Sequence, residues 1–216
     1  MNESSKVLTL FSKIFYNTNL NLNNNESKNI VKTLDNIETT KSYTDSYTSS
    51  HISDLNNLTA SSKRKNILDD LPILKKMIMN EFNLFKNNIL KYTDNDFRIT
   101  TSWISKSVKG QSSQYHNHNN CMYSGIFYVQ TTENSGSISF ENFENTRFSL
   151  KPSEYNLYNC REISINPKNN TLLFFPSEVY HKILINNSNI TRYAIAFNLI
   201  PVGKIGKESS DSFLEI

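Results

Sequence analysis

The chain has four histidines, and three of them have the spacing a metal centre would need. His116 and His118 lie in Tyr-His-Asn-His, just ahead of the β-like run Ser124-Gly125-Ile126-Phe127-Tyr128-Val129. His181 closes Leu-Leu-Phe-Phe-Pro-Ser-Glu-Val-Tyr-His, and Arg192 opens Arg-Tyr-Ala-Ile-Ala-Phe-Asn. Side chains alternate between the faces of a strand, so His-x-His aims two imidazoles the same way. A third imidazole from a distant strand would complete a facial cap and leave the other coordination positions open. Neutral imidazole suits iron, zinc, copper or nickel. The fourth, His51, sits in a weakly patterned Ser/Thr/Asn-rich stretch and reads as an ordinary surface histidine.

Each signal has a plainer alternative. A histidine pair at i and i+2 also arises as a polar strand edge, and a lone His181 or Arg192 as a surface group. Their joint order before β-like runs favours the metal. Cys121 could be a soft ligand, but a small buried side chain is the simpler reading. Glu141 and Glu178 read as solvated or structural, although Glu141 follows a β-like run and could face a pocket.

Bulk properties narrow the function classes. At 216 residues the chain is long enough for one domain with a sizeable core, and 13 Phe and 11 Tyr indicate a folded protein. A formal charge of +3 gives no indication of nucleic-acid binding. The N-terminus lacks the apolar core of a signal peptide and no run is long enough to span a bilayer, so the expected location is cytoplasmic. Two cysteines, Cys121 and Cys160, make no disulfide framework.

The elements that must position these residues fall into two parts. Residues 7–16 are apolar and β-prone, an expected opening strand. Residues 26–38 predict a short helix, and 38–65 a surface loop. Asp69-Asp70 offers an N-cap to a helix over 70–90, whose stripe is Leu71, Leu74, Ile78, Phe82, Phe85 and Ile89. After residue 95 the period becomes two: Phe97, Ile99, Thr101 and Trp103 alternate with Arg98, Thr100 and Ser102. Further strands are expected at 121–131, 137–142, 160–166, 171–176, 181–186 and 190–200, separated by turn residues. The order predicts a mainly β domain with α, a double-stranded β-helix (jelly roll) buttressed by N-terminal helices. One domain spans 1–216, with helical support and loop at 1–95, core at 96–200 and tail at 201–216.

Ser-Trp-Ile, His-x-His, Ser-Gly-Ile-Phe-Tyr-Val, Phe-Phe-Pro-Ser, His181 and Arg-Tyr-Ala-Ile-Ala-Phe-Asn occur here in sequence. That ordered set resembles the 2-oxoglutarate/Fe(II) oxygenases common in marine bacteria and their phages. Leu-Phe-Ser-Lys-Ile-Phe-Tyr at 10–16 and the helix at 70–90 are similar too. The resemblance implies the jelly-roll fold, Fe(II), 2-oxoglutarate, dioxygen and hydroxylation of an unidentified small-molecule or macromolecular substrate. It implies His116, His118 and His181 at the metal, and Arg192 on the distal carboxylate of 2-oxoglutarate. Tyr128 and Asn198 are candidates for the remaining cosubstrate contacts.

Two departures stand out. Most such oxygenases carry a carboxylate where this chain has His118, and Ala194 replaces the serine of a frequent Arg-x-Ser pairing. The register could also slip, with His118-Asn119-Asn120 serving as the motif and His116 outside the shell. Strand alternation puts Arg192, Ala194, Ala196 and Asn198 on one face and Tyr193, Ile195 and Phe197 on the other. The alternative is a cupin-type metal protein without 2-oxoglutarate chemistry: an isomerase, another dioxygenase or a metabolite-binding module. Gly110 and His-x-His match the start of the cupin motif. The glutamate expected shortly after is absent, and Glu178 stands where the second motif has glycine. A three-histidine zinc hydrolase would need a general base that the sequence does not supply.

Overall fold

The computed structural model of the protein describes residues 9–41, 58–142 and 150–216. Its elements are β1 (Tyr16–Asn19), α1 (Asn24–Asp35), β2 (Thr39–Lys41), β3 (Ala60–Ser62), α2 (Pro72–Phe85), β4 (Asp96–Ser107) and β5 (Tyr123–Gln130). They continue with β6 (Ile138–Glu141), β7 (Glu162–Ile165), β8 (Thr171–Pro176), β9 (Tyr180–Ile183), β10 (Arg192–Val202), β11 (Lys204–Ile205) and β12 (Leu214–Glu215). One sheet runs β1-β8-β5-β10-β4-β3-β2 and another β7-β6-β9. All these pairings are antiparallel. The result is the expected double-stranded β-helix with helices on one face.

The large sheet is buried on both sides, and period-two alternation decides which residue goes where. Phe127 and Val129 of β5, with Tyr193, Ile195 and Phe197 of β10, face α1 and α2. Ile126 and Tyr128, with Ala194, Leu173 and Phe175, face the smaller sheet. The predicted split of β10 is therefore observed. On the helix side, Phe82 lies 5.0 Å from Phe97 and 5.2 Å from Phe174, centroid to centroid, at tilted to edge-on angles.

Gly125 sits where this packing leaves no room. A Cβ there would lie 2.4 Å from the Phe197 ring and 3.1 Å from that of Phe174, and both rings are fully buried. Gly125→Ala is expected to destabilise the fold by about 1–3 kcal/mol through overpacking. Urea unfolding would show this as a lowered midpoint at unchanged slope.

Several expectations are corrected. The first strand begins at Tyr16; residues 9–15 are not strand, because Phe11 takes φ +57° with its ring exposed to solvent. Residues 7 and 8 lie outside the described residues. The first helix starts earlier than expected, at Asn24, because Asn23 and Glu26 form a reciprocal capping box. The expected loop at 38–65 contains β2 and β3, while His51 lies outside the described residues. Asp69 and Asp70 do not cap α2: they lie in a preceding 3₁₀ turn at Ile67–Asp70 and pair with Lys75 and Arg64. A π turn at Lys86–Leu90 rotates the end of the stripe, so Ile89 is exposed. Residues 201–216 are more than a tail, since β10 runs on to Val202 and β11 pairs with β12.

The correction that matters for function lies in β4. Asn198 pairs with Thr101 and Leu199 with Ile99, so Thr100 is an extra residue, a β-bulge. One extra residue exchanges the faces of everything beyond it. Phe97, Ile99 and Ile104 therefore face the helices, whereas Trp103 and Ser105 turn into the opposite cleft.

Candidate active site

The cleft lies between the two sheets. Its lining includes Trp103, Ser105, Ile126 and Phe175 together with His116, His118 and His181. The histidines arrive from different segments. His181 is on β9; residues 112–118 run beside it as an irregular stretch rather than the expected strand. His116 N–H donates to His181 O (3.0 Å), His181 N–H to His116 O (2.8 Å), and His118 N–H to Ser177 O (3.0 Å). One candidate ligand atom of each imidazole lies within 4.8 Å of the others. The ring centroids are 5.3 Å apart for His116–His118, 4.4 Å for His116–His181 and 5.1 Å for His118–His181. His116 lies inside the cluster with the other two rings.

Burial disfavours the charged form of all three rings. Burial pushes the His118 pKa down to about 4, helped by His116 and opposed by a hydrogen bond with Asn198. Burial likewise lowers His116 and His181. His116 Nδ1 meets Gln114 O at 2.8 Å, and His181 Nδ1 meets Val179 O at 3.0 Å. A carbonyl oxygen only accepts, so both Nδ1 atoms carry the proton and both Nε2 lone pairs stay free. Neutral, desolvated imidazoles with a fixed tautomer are the state a divalent cation requires.

Further along the same face lies Arg192, fully buried. Its Nη1 donates to Gly136 O (3.3 Å) and its Nη2 to Ser105 Oγ (3.4 Å), while Nε has no partner. Gly136 must be glycine: it takes φ +90°, and a Cβ would meet Leu184 O at 2.2 Å. Among the described residues no carboxylate pairs with Arg192. Tyr128, directly across from Ala194 in the β5–β10 register, is also fully buried with an unpartnered hydroxyl. Burial raises its pKa to about 12 against the pull of Arg192. A buried guanidinium without a counter-charge, beside an orphaned hydroxyl, is electrostatically suited to an anion. Ser105 both lines the cleft and touches Arg192.

The remaining candidates separate. Asn198 does not join Arg192; its side chain meets His118. Glu141 pairs with Arg161 (3.6 Å) and Glu178 with Lys13 (3.8 Å), so neither reaches the histidines. Cys121 is only half-buried, contrary to the simpler expectation, and its thiol donates to Asn119 O (3.4 Å) rather than meeting the imidazoles. Sequence reasoning missed Ser124, Ser177, Ser105 and Trp103. Ser124 was within reach, because it shares the even phase of Ile126 and Tyr128; Trp103 and Ser105 were hidden by the bulge.

Residues 101–198 match the family described as "Putative 2OG-Fe(II) oxygenase", a stretch that contains all three histidines and Arg192. They form a 2OG-Fe(II) oxygenase domain. No curated protein matches the sequence. Among solved structures, the chain is similar to an oxidoreductase of the 2OG-Fe(II) oxygenase family from Burkholderia pseudomallei, at 9% identity, covering 87% of this chain and 84% of that one, with a TM-score of 0.59. It is similar to a prolyl hydroxylase from Trichoplax adhaerens in complex with a hypoxia inducible factor peptide fragment, at 13% identity, 86% and 83% coverage and a TM-score of 0.58. The epimerase SnoN in complex with Fe3+, alpha ketoglutarate and nogalamycin RO is similar at 6% identity, 86% and 78% coverage and a TM-score of 0.60. At these identities the likeness is one of fold. The oxygenase is an enzyme whose cofactors are Fe(II) and 2-oxoglutarate. No helix among its described residues is long and apolar enough to cross a membrane.

Proposed function

We propose that this oxygenase holds Fe(II) on His116, His118 and His181 and binds 2-oxoglutarate between that metal and Arg192, hydroxylating a substrate at the cleft mouth. The buried Arg192 without a counter-charge, beside the unpartnered hydroxyl of Tyr128, carries this reading over a cupin-type metal protein. A lone buried cation is costly, and a dicarboxylate supplies the missing anion. Iron and 2-oxoglutarate, when bound, supply the oxygen activation and the oxidising equivalents.

The protein's own residues bind, orient and exclude water. Arg192 would grip the distal carboxylate with its planar fork, and the Tyr128 hydroxyl would donate to it in place of the serine that Ala194 has lost. The three imidazoles would hold the metal at the wall of the cleft. Ile126 and Phe175 keep the interior apolar, so charges inside interact strongly. Trp103, its ring 5.4 Å from that of His118, stands in the cleft wall where a substrate enters. Kinship to the marine bacterial and phage type, and a cytoplasmic location suited to two free cysteines, complete the reading.

The metal site is tested at His118. An aspartate there recreates a two-histidine, one-carboxylate face. His118→Asp is expected to keep Fe(II) within roughly tenfold of wild-type affinity, while His118→Ala loses about 100-fold, as for removal of a ligand. Anaerobic Fe(II) titration, with succinate formed from 2-oxoglutarate as a second readout, checks this. Equal, undiminished affinity in both variants places His118 outside the metal shell.

A further inference from the structure

His116 and His181 are held by main-chain carbonyls, which no substitution removes. His118 is different. Its Nδ1 lies 2.9 Å from Asn198 Oδ1 and 2.7 Å from Ser124 Oγ. Ser124 Oγ donates to Asn198 Oδ1 (2.9 Å) and shares a hydrogen bond with Ser177 Oγ (2.9 Å). Asn198 Nδ2 donates to Thr101 Oγ1 (3.3 Å), and the amide oxygen stands toward the imidazole. Ser124 and Ser177 are completely buried, which leaves this polar cluster to satisfy itself.

The protons can be assigned. Asn198 Oδ1 only accepts, whereas the single Ser124 proton has Asn198 Oδ1, Ser177 Oγ and His118 Nδ1 within reach. With a proton on His118 Nδ1, both Asn198 Oδ1 and Ser124 Oγ receive it. With Nδ1 bare, its lone pair would face the amide oxygen at 2.9 Å with nothing between them. The cluster therefore selects the Nδ1–H tautomer and turns Nε2 toward His116 and His181. A carboxylate at this position has no tautomer to choose. A histidine there needs an orienting partner, and β10 provides one.

We propose that Asn198 is a positioning residue that fixes the tautomer and ring orientation of His118, and thereby sets the affinity of the three-histidine centre for its metal. Ser124 is its auxiliary. The proposal rests on reading His118 as a ligand, and it assigns Asn198 to the metal side of the cleft rather than to 2-oxoglutarate.

The first test needs no variant and no metal. Long-range ¹H–¹⁵N correlation spectra of the ¹⁵N-histidine-labelled apoprotein should show His118 protonated at Nδ1. A His118 protonated at Nε2 overturns the proposal. The second test is anaerobic Co(II) titration of wild type, Asn198→Leu, Asn198→Asp and His118→Ala. Asn198→Leu should weaken binding by roughly 10- to 100-fold, the usual consequence of removing a ligand's orienting partner. Asn198→Asp keeps an acceptor and should return to within a few-fold of wild type, which a merely structural role would not produce. If Asn198→Leu binds as wild type while His118→Ala is weakened, the positioning role fails and the ligand assignment stands. If both bind as wild type, the ligand assignment itself fails. The tautomer measurement decides the matter should Asn198→Leu not fold.

Discussion

Arg192→Ala is expected to weaken 2-oxoglutarate binding by about 3–5 kcal/mol, roughly two to four orders of magnitude in Kd, with Fe(II) affinity unchanged. The size follows from burial. The guanidinium is inaccessible to water, and a dicarboxylate bound at this position in the alanine variant would lack its counter-charge in desolvated surroundings. Arg192→Lys should recover only part, because an ammonium replaces two parallel hydrogen bonds with one point charge. Arg192→Met is the informative control. It keeps much of the volume and removes an unpaired buried charge, so the apoprotein should unfold at a temperature no lower than wild type. A variant that is as stable as wild type but blind to 2-oxoglutarate separates ligand binding from folding. Calorimetric titration and thermal unfolding provide both numbers; unchanged 2-oxoglutarate affinity in Arg192→Ala would return the protein to the cupin reading.

His181→Ala carries the second large effect. Structural zinc sites with four ligands are worth about 10–16 kcal/mol, so one ligand accounts for roughly 3 kcal/mol and about 100-fold in metal affinity. His181 is almost fully buried, between the rings of Phe175 (4.8 Å) and Phe140 (5.9 Å), so alanine also leaves a cavity. His181→Gln fills most of that space without an imidazole. Both variants should lose Fe(II), and only the alanine variant should lose substantial stability as well. Metal analysis after gel filtration, beside urea unfolding of each apoprotein, tells the two effects apart. Near-normal iron in His181→Gln would contradict a three-histidine centre.

Much of this site was legible because strands obey a short rule. Alternation in β10 placed Arg192 and Ala194 opposite the helices, and the structure agrees. His-x-His put two rings on one side even though the segment is an irregular run beside β9, because local extension is enough for that geometry. Asn198 was placed on the right face but given the wrong neighbour. Alternation fixes a face, whereas the partner depends on how residues 112–118 fold across the cleft. The bulge at Thr100 was illegible for a related reason. It is a property of the pairing between β4 and β10, not of either strand alone, and it reversed the expected orientation of Trp103. The capping box at Asn23 was readable and overlooked, whereas the aspartates before α2 form ion pairs that no local pattern reveals.

The anaerobic visible spectrum of the protein loaded with Fe(II) and then titrated with 2-oxoglutarate tests the central claim most directly. A metal-to-ligand charge-transfer band arises only when 2-oxoglutarate chelates the iron, so it reports both sites at once. The account predicts a saturable band at one equivalent of iron per chain, absent in His181→Gln and reached in Arg192→Ala only at far higher 2-oxoglutarate. A protein that binds one equivalent of iron and shows no band at any 2-oxoglutarate concentration would contradict it.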